Sequence, residues 1–351
     1  MLKLSPMLKL STIQRCFFGL CLVMAVFTGW FLHNIPALHT TSSAHSAVNN
    51  VPLYATTNPI SSSLATPQAT RLPAPDEDTV IRSSLYQLTS GLRPGRGSPI
   101  PVASSVQQVP VVDVSFYNWR GELLSGWLAV QTPQAPIVIL THGTPGNRVD
   151  MLARAAFLYQ HGYNVLLFDF QSYGKSQGVM STLGMVESED TLAAISYIHD
   201  LPVTEYSKIG VLGLSMGATA AVLAASRSSD ILALVVESCP VDATRVTADV
   251  PNEATREADK EVVEQVYGVD ITQARPIAVI NKLVGHTAIF LINGDADDTT
   301  PLSGMEDLYA TAGQPKQSWV VSGAGHAQAF AADAGDYASR VDAFFDTYLS
   351  H

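Results

Sequence analysis

From Ile137 onward the chain alternates short, almost wholly apolar runs with segments of helical spacing, a pattern that few folds accept. Ile137–Thr141, Asn164–Phe170, Lys208–Leu212 and Ile231–Glu237 are rich in Val, Ile and Leu. Runs of that length and composition predict strands covered on both faces. Between them lie Asp150–His161, Glu187–His199 and the Ala-rich Met216–Ser226, each reading as a helix. Strands separated by helices at this spacing imply crossovers, which place neighbouring strands parallel. Two further strands, Ala288–Asn293 and Ser318–Val321, and a helix over Asp336–Tyr348 carry the pattern to the C-terminus. Upstream, Val109–Tyr117 and Glu122–Val130 flank a turn at Asn118–Gly121 and predict a hairpin. The expected fold class is α/β, with a mostly parallel sheet and helices on both faces, over residues 109–351.

One stretch breaks the alternation. Nearly fifty residues between Ser238 and His286 hold helical patches such as Ala254–Tyr267 but no strong strand. They are either a decorated crossover or an insertion over the C-terminal edge of the sheet. The second reading is preferred and makes residues 239–286 a small helical cap.

The N-terminal third differs in texture. Lys3, Lys9 and Arg15 precede an uninterrupted apolar run from Cys16 to Leu32, at the short end of what spans a bilayer. No amphipathic pattern surrounds it, so a buried core helix explains it poorly. Residues 1–33 are therefore expected to be a membrane anchor or signal segment. The basic flank places the N-terminus in the cytoplasm and the folded domain outside. Small-residue cleavage sites such as Ser42-Ser43-Ala44 lie far beyond the run, which favours an uncleaved anchor over a secreted or periplasmic product. Cys21 lies inside the run, which argues against a lipid-attachment site. Residues 34–108 follow as linker and N-terminal extension, and the Ser, Thr, Pro and Asn of their first half cannot bury a core.

Composition closes off several function classes. The formal charge is −11 and no Lys/Arg cluster follows the N-terminus, which argues against nucleic acid as a partner. Of three cysteines, two fall in the apolar run, so Cys239 has no disulfide partner in the folded domain. It is expected to be a small buried residue at a strand end.

Chemistry concentrates in the pentapeptide Gly213-Leu214-Ser215-Met216-Gly217, set between the strand ending at Leu212 and the helix beginning near Met216. There a serine occupies a sharp strand-to-helix turn, and the flanking glycines let neighbouring backbone approach. A hydroxyl is a poor nucleophile at neutral pH and needs a base beside it. With a nucleophile on such an elbow, the acid and then the histidine follow along the chain. Of the downstream histidines, His351 is the last residue and His286 precedes a strand, at the wrong end for chemistry. His326 follows Ser322-Gly323-Ala324-Gly325 on the loop leaving the last strand, where the base belongs. The acid falls in the loop Gly294-Asp295-Ala296-Asp297-Asp298-Thr299-Thr300-Pro301, and position alone does not choose among its three carboxylates. Glu237, at the end of the preceding strand, is a weaker alternative.

A tetrahedral oxyanion needs preorganised N–H donors. One is expected from Met216, just after the nucleophile, and a second from the loop His142-Gly143-Thr144-Pro145-Gly146-Asn147. Pro145 has no N–H, which leaves Thr144 as the candidate. His142 is expected to brace this loop rather than act as a base.

Several stretches, taken together, resemble the α/β-hydrolase family and within it the membrane-anchored Bem46-like hydrolases. They are Thr141-His142-Gly143-Thr144-Pro145-Gly146-Asn147-Arg148, Gly162-Tyr163-Asn164-Val165-Leu166-Leu167-Phe168-Asp169 and Tyr173-Gly174-Lys175-Ser176-Gln177-Gly178, followed by the elbow, the Asp loop and Gly325-His326. In that family the acid lies three residues after the loop glycine and four before a proline, which here implies Asp297. The resemblance also implies hydrolysis of an ester, thioester or amide with no metal or organic cofactor. Two departures bear on substrate preference. Thr144-Pro145 stands where such hydrolases often carry Asn-Ala, and Gln171-Ser172 where Arg-Gly is common.

The leading functional expectation is a serine hydrolase with a small-molecule acyl substrate, of carboxylesterase or lipase-like type. A peptidase is the second reading, because related folds cleave short peptides, and acyl transfer would use the same acyl-enzyme. A non-catalytic binding module that kept the fold is the third, opposed by the intact Ser/Asp/His set.

Overall fold

The computed structural model describes residues 97–201, 208–246 and 253–350. The anchor expected over residues 1–33 and most of the linker expected over 34–108 lie outside the described residues. Among the described residues, no helix is long and apolar enough to cross a membrane.

Eight strands form one sheet: β1 Val112–Tyr117, β2 Leu123–Ala129, β3 Ile137–Thr141, β4 Asn164–Phe168, β5 Ile209–Leu214, β6 Ile231–Glu237, β7 Ala288–Gly294 and β8 Lys316–Val321. Their order is β1-β2-β4-β3-β5-β6-β7-β8. β2 runs antiparallel to β1 and β4, as a hairpin at one edge, and all remaining pairings are parallel. The expected α/β-hydrolase architecture is what the chain adopts.

Period-two alternation explains how two layers of helix attach. Ile137 and Ile139 of β3, Leu166 and Phe168 of β4, and Leu234 and Val236 of β6 enter one apolar cluster. Val138 and Leu140, Val165 and Leu167, and Ala233 and Val235 enter another on the opposite face. The first face is covered by α2 (Met185–Asp200), α3 (Met216–Ala225) and α6 (Leu302–Thr311). The second is covered by α1 (Leu152–Gln160) and α8 (Ala334–Leu349). Adjacent strands β3 and β5 therefore send their following helices, α1 and α3, to opposite faces. Loops that part in this way leave a crevice at the carboxyl ends of the strands.

Between β6 and β7 lie α4 (Ala243–Val246), α5 (Glu253–Tyr267) and three 3-10 turns, without a strand among the described residues. Val262, Val263, Val266 and Tyr267 of α5 form a small separate core with Met180, Leu183 and Val186. Among the described residues the stretch 239–286 thus carries helices and 3-10 turns, as its helical patches led one to expect. A short α7 (Ala329–Ala332) precedes α8.

Boundaries differ where side chains bind backbone. The helix expected over Asp150–His161 begins with a 3-10 turn, Arg148–Met151, held by a reciprocal cap between Asn147 and Asp150. The strand expected to reach Phe170 stops at Phe168, because the Asp169 carboxylate turns to accept the N–H groups of Arg148 and Lys175. β1 begins at Val112 rather than Val109, and β8 begins at Lys316, two residues earlier than expected.

Candidate active site

Ser215 sits between β5 and α3 with φ 54° and ψ −117°, a left-handed conformation that a side-chain-bearing residue rarely holds. The flanking glycines make the turn possible. A Cβ on Gly217 would strike the Thr141 carbonyl oxygen, and one on Gly213 would lie 2.7 Å from that of Gly217. Neither fits, so the elbow closes only with glycine at both positions. The Ser215 N–H donates to the Glu237 carbonyl at 2.9 Å and ties the elbow to β6.

His326 arrives on the loop after β8, with its Nε2 2.9 Å from Ser215 Oγ. Its Nδ1 lies 3.0 Å and 3.1 Å from the two oxygens of Asp297. An ionised carboxylate only accepts, so Nδ1 carries the proton and Nε2 is left to accept from the Ser215 hydroxyl. Asp297 is itself held on all sides. It accepts from the N–H groups of Thr299 and Thr300 at 3.0 Å and 2.8 Å, and from the Thr300 hydroxyl at 2.7 Å. Burial opposes its charge, but hydrogen bonds from His326, Thr300 and Ser238 outweigh that and lower its pKa to about 2.

The structure therefore brings Ser215, His326 and Asp297 together and separates the other carboxylates. Asp295 turns away to accept the Gly323 N–H at 2.6 Å, and Asp298 is exposed. Glu237 is committed elsewhere. Its buried carboxylate pairs with Arg154 at 2.7 Å and accepts from the Tyr337 hydroxyl and the Ala329 N–H. That cluster supports the segment just after His326 from beneath and leaves Glu237 out of the set.

Thr144 and Ser215 line one cleft of about 290 Å³ with Gly143, Pro145, Leu214 and His326. Met216 opens α3, where the first N–H groups of a helix have no intrahelical acceptor and point outward. His142 is fully buried and bridges two loops. Its Nδ1 donates to the Gly143 carbonyl at 2.8 Å, while Nε2 accepts the Phe170 N–H at 3.2 Å. That pairing requires the neutral ring, in keeping with burial lowering its pKa. The expected bracing role fits these contacts. Cys239 is buried, as expected, and burial pushes its thiol up.

Two residues escaped the sequence reading. Ser238, at φ 52°, accepts the Ala327 N–H at 3.0 Å and hydrogen-bonds Asp297, so one hydroxyl joins both loops. Thr300 donates to Asp297 and lies 3.3 Å from His326 Nδ1. Thr300 stood in the Asp loop, but only the fold reveals which carboxylate it faces. No local pattern marks Ser238.

A serine on a sharp strand-to-helix turn at the switch point of this strand order, with an imidazole and a carboxylate on the two loops beyond, fits a hydrolase of the α/β-hydrolase fold. Residues 149–351, more than half of the chain, match the model of the prolyl oligopeptidase family, and the chain belongs to that family. It is 30% identical over 235 residues to the uncharacterized protein Rv2307c of Mycobacterium tuberculosis, across 65% of this chain and 76% of that one. It is 27% identical over 178 residues to the thiohydrolase aneE of Aspergillus aculeatus, across 49% of this chain and 56% of that one. Among solved structures, the Pyrococcus furiosus esterase Pf2001 superposes with a TM-score of 0.60 at 25% identity, covering 74% of this chain and 99% of that one.

Proposed function

We propose that the chain is a serine hydrolase that cleaves small acyl esters or thioesters through an acyl-enzyme on Ser215. The observation that carries this reading is the continuous Ser215 Oγ–His326 Nε2–Asp297 contact at 2.9 Å and 3.0 Å. In the first step Ser215 Oγ attacks the acyl carbon and its proton passes to His326 Nε2. The Asp297 carboxylate stabilises the imidazolium that forms, and the N–H groups of Thr144 and Met216 stabilise the oxyanion. His326 then protonates the leaving alkoxide or thiolate as its bond to the acyl carbon breaks. Water attacks the acyl-enzyme, gives its proton to the same nitrogen and releases the acid with Ser215 restored. The likeness to an esterase and to a thiohydrolase supports esters and thioesters as the substrate class. Membership of the prolyl oligopeptidase family favours a second reading, cleavage of a peptide or aminoacyl amide on the same residues.

We further read the chain as Bem46-like, held in a membrane by residues 1–33 with the hydrolase domain extracytoplasmic. The basic flank and the apolar run Cys16–Leu32 support that topology. The insertion after β6 is read as a cap, because Cys239–Asp242 and Thr299–Thr300 of the acid loop line one cavity of about 370 Å³.

The test profiles the full chain in detergent against p-nitrophenyl esters of graded length, acyl thioesters and aminoacyl amides, alongside a fluorophosphonate probe. Ester or thioester turnover should dominate, and Ser215→Ala should abolish both turnover and labelling. Selective amide cleavage would move the assignment to the peptidase. Labelling that persists in Ser215→Ala would remove Ser215 as nucleophile.

A further inference from the structure

The loop after β4 contributes a side chain that the reaction scheme leaves unused. Tyr173 is fully buried, with its ring edge-on to His142 at a centroid separation of 5.0 Å. Its hydroxyl lies 3.0 Å from Thr144 Oγ1 and 3.2 Å from Met216 Sδ. Those two side chains belong to the residues assigned above as the two oxyanion donors. They come from different strands, Thr144 from the loop after β3 and Met216 from the elbow after β5. A third loop thus supplies one atom in contact with both.

We propose that the Tyr173 hydroxyl is a positioning group for the oxyanion hole, setting the N–H groups of Thr144 and Met216 against one another. The inference rests on the serine-hydrolase reading of this site. Met216 needs little help, because it is buried at the head of α3 and its sulfur also receives the Ser181 hydroxyl at 3.3 Å. Thr144 does need it. It is exposed, and its loop is otherwise closed by the turn from the Gly146 N–H to the Gly143 carbonyl and by His142. Tyr173 is anchored for the task. Its N–H donates to the Phe170 carbonyl at 3.0 Å, and the preceding N–H, of Ser172, donates to the Gln177 carbonyl at 2.7 Å. Burial raises the pKa of the phenol, which stays a neutral hydroxyl able to donate and accept at once. Oxyanion donors act within a few tenths of an ångström of their optimum, and a displacement of about 1 Å can cost about 10²-fold in rate.

A buried phenol also needs partners simply to be satisfied, so the test separates a stability role from a positioning one. Tyr173→Phe and Thr144→Val in the full chain are compared with wild type for kcat and KM on the best ester and for Ki of a boronic acid transition-state analogue. Thr144→Val keeps the backbone N–H and removes only the hydroxyl that Tyr173 holds. Each variant should lose about 10- to 100-fold in kcat with KM within about threefold, and analogue affinity should fall by the same factor. The double variant should lose no more than the worse single one, because both remove the same contact. The proposal is overturned if Tyr173→Phe keeps kcat within threefold, if analogue affinity does not follow kcat, or if the two losses multiply. Failure of the underlying reading looks different: Ser215→Ala would then keep its turnover, whatever Tyr173→Phe does.

Discussion

Replacing Asp297 by Asn tests the mechanism most sharply, because the structure dictates how the amide must sit. Oδ1 of Asp297 accepts two backbone N–H groups, from Thr299 at 3.0 Å and Thr300 at 2.8 Å. An Asn side chain must place its single oxygen there, since an NH2 facing two N–H donors would leave all of them unsatisfied. Its NH2 then takes the Oδ2 position, 3.0 Å from His326 Nδ1. A donor at that point selects the tautomer with the proton on Nε2, which can no longer accept from Ser215. The variant loses both the charge that stabilises the imidazolium and the competent ring, a change that costs about 10⁴ in the serine-protease template. A loss of between about 10² and 10⁴ in kcat/KM is expected here, or about 3–5 kcal/mol of transition-state stabilisation. Asp298→Asn should be near neutral, and Asp295→Asn should cost under about tenfold, through its bond to Gly323 on the His326 loop. The assay is kcat/KM for the three variants together with their Tm. If Asp297→Asn stays within tenfold of wild type at unchanged Tm, the amide argument fails. If Asp295→Asn is the crippled variant, the acid is misassigned. The same carboxylate also links to stability. Its folded pKa of about 2 lies below the ordinary 3.8, so its contribution is fully present above that value and is lost as pH falls through about 2. Between pH 5 and pH 2 the wild-type Tm should therefore fall more steeply than that of Asp297→Asn, and parallel curves would contradict the linkage.

Ser238→Ala should lower kcat about tenfold with little change in KM, because one hydroxyl orders both Asp297 and the Ala327 N–H. An unaffected kcat would reduce Ser238 to a strained strand-end residue. Glu237→Gln should leave Arg154 as a buried charge without its counter-ion and cost about 3–5 kcal/mol in urea unfolding. A cost under about 1 kcal/mol would show that the Arg154–Glu237–Tyr337 cluster is not what supports the segment after His326.

The parts of this fold that were legible in sequence are those whose physics is local or periodic. A strand buried on both faces is apolar along most of its length, so β3 through β7 stood out as short runs, with polar residues such as Asn164, Glu237 and Asn293 confined to their ends. An elbow needs glycine on both sides of the serine, because the end of β3 occupies the space beside Gly217 and the first turn of α3 the space beside Gly213, so the two glycines mark Ser215 in the sequence. Strand ends were less legible, because Asp169 ends β4 through bonds to Arg148 and Lys175, and neither partner is recognisable from the run itself.

Beyond the pairing of Ser215 with His326, the contacts that join the site's loops were not legible from the residues themselves, and Asp297 was marked only by the family resemblance. Asp295, Asp297 and Asp298 are equivalent by composition and nearly so by position, and they differ only in where the loop turns each carboxylate. Thr299 and Thr300 turn the second inward, while Gly323 draws the first outward. Ser238 meets Ala327 across 89 residues, and Tyr173 meets Met216 across 43. Neither separation leaves a spacing that a reader of sequence could find. What unites these residues is the edge they share. Strand order brings the ends of β3, β4, β5, β6, β7 and β8 to one side of the sheet, so a side chain just past any of those ends is a candidate partner for the others. Ser238 and Tyr173 both satisfy that condition, one residue past β6 and five past β4. Topology, once known, thus narrows the search to the first few polar residues after each parallel strand.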